Sequence, residues 1–532
     1  MSTITAVGRK LKAWGQGRPL PRYDTIHHAV VPADDALVVA FVRMAGESRP
    51  WGIAWGTAGS EATVRSVPDG RVRDDVALLV AEFAEDLLAH MRVHNWTFDP
   101  APEPRHASPG DLRQVWLPNG QHVAMLHQLS YTYSQTRFGG ENEDILRALG
   151  RLAGWMFRDT SRAGNQHVVS ASALFEQAYV FPAQDARTAH LGFQLAWLAT
   201  DGDRDARVAA AQEAEALTVS PTMDPTLERR PLSDLVDAWQ AGRRDGADVV
   251  AYQTEIASIL EVELRRRWEL GQQAYRLIES DARPVNAGVP GLIEEAQTEF
   301  WYQHQRIELR HADPNLGPAF IAHPETDFHG SAAASRYLAY AAADEAYVSQ
   351  LVHGDDALFA EAIADGRAFE ARVEEVWVVE VPGSGRGRPV KKPHWKLRLD
   401  PSLPHRLRES ARVTPRGSPG HEATVIELDA DDRDLYVTIE WTGRKTKALD
   451  GPLDAAPADA LWEDEEVSFV QSDASSLTQR RSRRVWAAKD GPGAWLTHGK
   501  ASTPIEITAD DAGDIDLVID DVAQIEDGEE AA

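Results

Sequence analysis

The chain has 532 residues, 43% of them apolar and 26% charged, close to the usual globular mix. At about 150 residues per domain this length allows three or four domains. There is no cysteine, which excludes disulfides, thiolate metal sites and a cysteine nucleophile. Net charge is −28, and eleven acidic residues with no Lys or Arg lie in 501–532, leaving −17 on the rest. Such an acidic body excludes nonspecific coating of nucleic acid, where affinity comes from cations displacing counterions. A local basic face remains compatible with it.

The first 28 residues carry cations without the apolar core of a signal peptide. The longest apolar run, 36–42, falls far short of the roughly 20 residues that a membrane-spanning helix needs. The expectation is a cytoplasmic protein with no membrane partner.

In chain order, 36–69 reads as a strand meander, with short Val-rich runs between Gly-containing breaks. Residues 73–92 place Val76, Leu79, Phe83, Leu87 and Leu88 on one helical face, opened by Asp74 and Asp75 at the positive end of the helix dipole. A Pro-rich break at 99–110 precedes a strand and turn, QVWLPNG, then helices over 121–136, 142–158 and 186–200. This is a mixed α/β module over 1–202. From 203 to 368 the pattern is helical. Residues 247–280 repeat apolar positions at three- and four-residue steps, DARPVNAGVPG breaks them, and 291–312 resumes, which reads as a long antiparallel hairpin or stalk. From 369 to 500 the period becomes two, in short strands separated by Gly, Pro and Asp, as in a small antiparallel barrel. Residues 501–532 form an acidic tail. The fold class expected is α+β multidomain: an α/β module, a helical stalk and a C-terminal β-barrel.

No nucleotide loop of the form G-x-x-x-x-G-K-[ST] is present. Gly443–Arg444–Lys445–Thr446 has Arg where Lys must follow Gly, and Gly499–Lys500 is followed by Ala501. Cation-rich segments stand out instead. Between 371 and 420 there are eleven Lys/Arg against five Asp/Glu, with Arg386, Arg388, Lys391, Lys392, Lys396 and Arg398 around His394 and Trp395. A second cluster holds Arg480, Arg481, Arg483 and Arg484 beside Trp486. Cations that track phosphates beside rings that stack on bases are how single-strand binding surfaces are built. The alternative is a solvated loop and a protected edge strand.

Residues 94–99, HNWTFD, resemble the H-N-x-x-F-D segment of RNase H-like DEDD exonucleases, in which the Asp binds a catalytic metal. The resemblance gives a runner-up site of His94, Asn95 and Asp99, with Mg or Mn as cofactor. Two-metal cleavage needs several converging carboxylates, and the candidate opening strand ALVVAFVRM has none. The alternative is a helix exit with Trp96 and Phe98 in the core. His90 and His94, His122 and His127, and His304 and His311 do not complete a metal-binding spacing.

From about His353 to Lys500 the chain resembles the region ahead of the ATPase core in bacterial superfamily-1B helicases, related to nonsense-mediated-decay helicases. The resemblance lies in a stalk followed by LVHGDDALFAEAIADGRAFEARVEEV, a small barrel and GPGAWLTHGK. Residues 30–200 more weakly resemble degenerate RNase H-like or RecB-associated segments, through LPNGQHVAMLHQLSY and YVFPAQDARTAHLGFQLAWL. It implies a non-catalytic accessory subunit, without a cofactor, that binds single-stranded or duplex nucleic acid beside a separately encoded helicase or ATPase in DNA repair or phage defence. A metal-dependent nuclease and a protein-binding scaffold are the alternatives.

Overall fold

The computed structural model describes residues 3–91, 112–137, 140–160, 166–183, 187, 189–286, 288–293, 347, 350–381, 390–416, 421–430, 434–442 and 466–471. An N-terminal helix α1 (Thr3–Gln16) leads to a five-stranded sheet. Its strands are β1 (Ala36–Val42), β2 (Gly52–Thr57), β3 (Thr63–Ser66), β4 (Gln114–Leu117) and β5 (Val168–Ser170), in the order β3-β2-β1-β4-β5. The first three form an antiparallel meander, while β4 runs parallel to β1 and β5 parallel to β4.

All seven residues of β1 are buried, as an uninterrupted apolar run demands when both faces of a sheet are covered. Leu37, Val39 and Phe41 enter one core, shared with α2 (Arg73–Met91), α3 (Gly120–Tyr133) and α4 (Glu143–Asp159). Ala36, Val38, Ala40 and Val42 enter the other. That second core draws on α5 (Ala171–Ala178), α6 (Leu191–Ala199), α7 (Arg204–Glu215), α8 (Ser233–Asp245) and above all α9 (Val250–Glu279). The period of two in β1 therefore divides one strand between two helical layers.

The long helix expected over 247–280 is α9, and it lies against the sheet. Trp268 Nε1 donates to the Val38 carbonyl at 3.0 Å, Gln272 Nε2 to the Ala58 carbonyl at 3.0 Å, and Tyr275 Oη to the Val31 carbonyl at 2.7 Å. Gly271 faces Val38 so closely that a Cβ there would stand 2.7 Å from a Val38 methyl. The apolar stripe that reads as the seam of a hairpin is here a contact with the sheet. Residues 294–312 of the expected second arm lie outside the described residues. One core joins residues on both sides of 202, so the boundary expected there does not divide the hydrophobic interior.

The period-two region closes into a six-stranded antiparallel barrel: β6 (Ala368–Val381), β7 (Val390–Leu399), β8 (Arg412–Pro415), β9 (Glu422–Ala430), β10 (Leu435–Thr442) and β11 (Glu466–Gln471). Around the barrel the order is β8-β9-β10-β7-β6-β11, with β11 returning to β8. Val373, Leu397, Val413, Val425, Val437 and Ile439 fill it. The rings of Trp395 and Trp441 meet edge to face at 5.0 Å, and Phe369 stacks on Phe469 at 5.4 Å. Beneath it packs α10 (Asp356–Ala364), through Phe359 and Ala362. Among the described residues no helix is long and apolar enough to cross a membrane.

Filling the Gly271 notch with a carbon that bears two methyl groups overpacks the α9–β1 contact. Gly271→Val is expected to lower unfolding free energy by about 1–3 kcal/mol, measured by urea titration; an unchanged midpoint would mean that α9 does not seat on β1 this closely.

Candidate nucleic-acid interface

In open α/β sheets, ligands sit beyond the carboxyl ends of the parallel strands, where neighbouring strands diverge. Here β4 pairs only with Ala36, Leu37 and Val38 of β1, so the last residues of β1 lose that neighbour and an edge opens. Pro118 and Asn119 turn the chain directly from β4 into α3, and the Asn119 side chain accepts from Gln121 N and His122 N. That cap aims His122 at the open edge. Its Nδ1 accepts the Phe41 N–H at 3.1 Å and its Nε2–H donates to the Val219 carbonyl at 2.9 Å. Beyond it, Arg43 N donates to the Pro221 carbonyl and Met223 N to the Arg43 carbonyl.

A buried ion pair seals the segment. Arg267 of α9 has no exposed surface. Its Nε donates to the Ser220 carbonyl at 2.8 Å, one terminal nitrogen to Glu263 Oε2 at 2.6 Å and the other to the Thr222 carbonyl at 3.2 Å. Burial pushes the Glu263 carboxyl up, but bonds from Arg266 and the charge of Arg267 outweigh it and hold the group below the ordinary range. The crevice is thus filled by a neutral imidazole, a backbone segment and a paired guanidinium. The opening strand carries no carboxylate at all. His94, Asn95 and Asp99 lie outside the described residues, in the connection from α2 to the start of β4. His90 is held by the Gln114 carbonyl at 3.1 Å, and His127 packs on Phe157 with ring centroids 4.7 Å apart. Among the described residues no group of three or more His, Asp or Glu is placed to hold a metal.

On the barrel, alternation along β7 sorts the sequence-derived cluster. Trp395 points inward and is 4% exposed, so it is a core ring and not a surface stacking platform; Leu397 and Leu399 share the barrel interior with it. Lys392, Lys396 and Arg398 face out, while His394, on the same side of the strand, is covered and only 6% exposed. Register sets Trp377 beside His394, and their rings stack at 5.5 Å. On the other side Lys396 Nζ lies 4.7 Å from the centre of the Tyr436 ring on β10. Lys392 is paired with Glu440 at 2.6 Å, and Arg398 reaches Glu374 at 3.5 Å and Asp434 at 3.3 Å. Among the described residues Lys396 has no carboxylate partner.

The face therefore alternates rings and cations, and acids from β6 and β10 offset part of its charge. Sequence reading missed Trp377 and Tyr436, which reach this face through strand pairing; the WVV and LYV runs of their strands were visible, their partners were not. Of the remaining cluster residues, Lys391 has its backbone in β7, with its side chain outside the described residues. Arg386, Arg388, Arg480, Arg481, Arg483, Arg484 and Trp486 lie outside them altogether. No protein family, no curated protein and no solved structure matches this chain.

Burial lowers the His122 pKa to about 3 and those of His28 and His353 to about 4. The unfolded chain binds protons on these rings from about pH 6.5 downward and the native chain does not. Stability is therefore fully present above that pH and falls on acidification, by about 1.4 kcal/mol per pH unit for each ring. In His122→Gln the slope of unfolding free energy between pH 6 and 4.5 should lose about one proton. A wild-type slope retained in that variant would mean that the imidazole titrates in the native state.

Proposed function

We propose that the chain is a non-catalytic nucleic-acid-binding protein of the cytoplasm that works beside a separately encoded helicase in DNA repair or phage defence. The observation that carries the binding half is the outer face of β6, β7 and β10, where Lys396 over Tyr436 stands next to Trp377 stacked on His394. A ring beside an uncommitted cation offers a base a stacking surface and its phosphate a charge. The helicase half rests on the resemblance of 353–500, and the barrel preceded by a packed helix agrees with it. The order β3-β2-β1-β4-β5, with its antiparallel meander and two parallel strands, supports the RNase H-like reading of the N-terminal module. Its filled crevice and carboxylate-free first strand favour a degenerate member over an active one.

Binding is expected to be weak. Three cations on this face, Lys392, Lys396 and Arg398, correspond to a log–log salt slope no steeper than about −2 for a single strand, at about 0.7 per phosphate contact. In fluorescence anisotropy with a labelled oligonucleotide, Lys396→Glu and Tyr436→Ala should each weaken binding about tenfold, within the 1–3 kcal/mol that a stacked base contributes. Equal affinity of both variants and the parent would remove this face from the interface. Changing Arg480, Arg481, Arg483 and Arg484 to Glu then tests the second cluster by the same readout.

The nuclease alternative is tested at Asp99. With Mg or Mn added, the parent is expected to leave labelled DNA and RNA intact over hours. Metal-dependent degradation that disappears in Asp99→Ala, with the unfolding midpoint unchanged, would replace the non-catalytic reading.

A further inference from the structure

Between α1, α5 and the segment ahead of α10, two ion pairs are spent on holding two residues of backbone. Arg9 of α1 binds both oxygens of Asp355, at 2.7 and 2.8 Å, and donates from its other terminal nitrogen to the Arg22 carbonyl. Arg283, just beyond α9, binds Asp281 through Nε at 3.0 Å and a terminal nitrogen at 2.6 Å, and donates to the Tyr23 carbonyl at 2.8 Å. The N–H of Arg22 donates to the Ala178 carbonyl at 2.8 Å. Asp355 is fixed in turn as the cap of α10, accepting from Leu358 N at 2.9 Å. Charge-assisted bonds of this kind are roughly twice as strong as neutral ones, and here they make the Arg22–Tyr23 backbone rigid.

The side chains presented by that backbone line an open cleft of about 330 Å³, together with His27, Glu176 and Gln177 of α5, and Tyr347. Three of its lining groups are rings. Tyr23 and His27 lie 4.3 Å apart, and His27 meets Tyr347 edge to face at 5.7 Å. Burial, then the charge of Arg283, lowers the His27 pKa to about 4, so its ring is neutral near pH 7. Arg22 differs from Arg9 and Arg283. Among the described residues it has no carboxylate partner, and its Nε is buried without an acceptor. A buried donor left unmade is destabilising, and this one persists in a chain of net charge −28.

Small-molecule sites are ring-lined clefts of about 300–1,000 Å³ with a few fixed polar groups, and the guanidinium fork matches phosphate oxygens in pairs. We propose that this cleft binds a nucleoside monophosphate group, its phosphate on Arg22 and its heterocycle among Tyr23, His27 and Tyr347. Glu176 and Gln177 line the same cleft. A carboxylate there repels phosphate, which favours an orientation with the phosphate toward Arg22. The group belongs either to a free nucleotide or to the 5′ end of a strand. The site is separate from the barrel face, so either can fail without the other.

The test is calorimetric titration of the full-length chain with AMP, GMP, CMP and UMP, with adenosine, with inorganic phosphate, and with a short oligonucleotide with and without a 5′ phosphate. At least one monophosphate should bind, and Arg22→Gln should weaken it at least about tenfold while leaving adenosine unchanged. Arg22→Lys, which keeps the charge and loses the fork, should fall between. Tyr23→Leu should weaken both monophosphate and adenosine. Among the described residues Arg22 holds no side-chain partner, so its variants should have an unfolding midpoint no lower than the parent's. A 5′-phosphorylated strand that binds more tightly than the free monophosphate, and loses that advantage in Arg22→Gln, identifies a strand end as the source; no advantage identifies the free nucleotide. Absence of binding by every monophosphate up to about 1 mM, equal binding by parent and Arg22→Gln, or inorganic phosphate binding as tightly as the monophosphates would each overturn the proposal.

Discussion

A strand of seven consecutive apolar residues has to be buried from both sides at once, and β1 imposes that demand on everything around it. One side is met locally by α2, α3 and α4. The other is met from far along the chain by α9, whose Trp268, Gly271 and Tyr275 are shaped to the strand and the segment before it. Seating α9 there brings Arg267 and Glu263 to the open end of β1, and that pair fastens the backbone at 220–222 over the place where a sheet of this order would hold a ligand. Removing one partner of such a buried pair costs about 3–5 kcal/mol, because the other charge stays behind. The filled crevice is thus a consequence of how the central strand is covered.

The elements were largely legible in the sequence, because each carries its own period. The barrel strands alternate, α9 repeats at three and four, and Asn119 sits where a helix cap belongs. What those elements pack against was less legible. The apolar stripe of 247–280 is the same whether it faces a partner helix or a sheet, and only the position of Gly271 hints at a close approach. Trp395 beside Lys392 and Lys396 looks like a basic aromatic cluster in a linear reading. Strand geometry sends it to the opposite face from its neighbours, and supplies Trp377 and Tyr436 from other strands. His122 looked like an isolated histidine; its role as an edge cap depends on contacts with Phe41 and Val219 that are 81 and 97 residues away.

Electrostatics separates the two candidate binding regions. On the barrel, cations stand among carboxylates of the same face, and exposed pairs such as Arg398 with Glu374 and Asp434 contribute little to stability. They also lower the field that an approaching polyanion meets. At the cleft beside α5 two carboxylates are committed to positioning, Asp355 on Arg9 and Asp281 on Arg283, while Arg22 and Glu176 both line the opening.

Closure of the barrel has a consequence for the order in which the protein forms. Strand β11 is the stave that joins β6 to β8, and Ala371 pairs with Val467, nearly a hundred residues later. Until the ribosome has released residue 471, β6 and β8 each keep an unpaired rim, the kind of edge through which nascent chains join one another. The central sheet has the same dependence on late-arriving chain, because the carbonyl of Val38 waits for Trp268. Contacts so distant along the chain make for slow folding. Both halves of the molecule thus spend their synthesis exposed, and the demand for chaperone protection should be greatest just before each closing segment emerges.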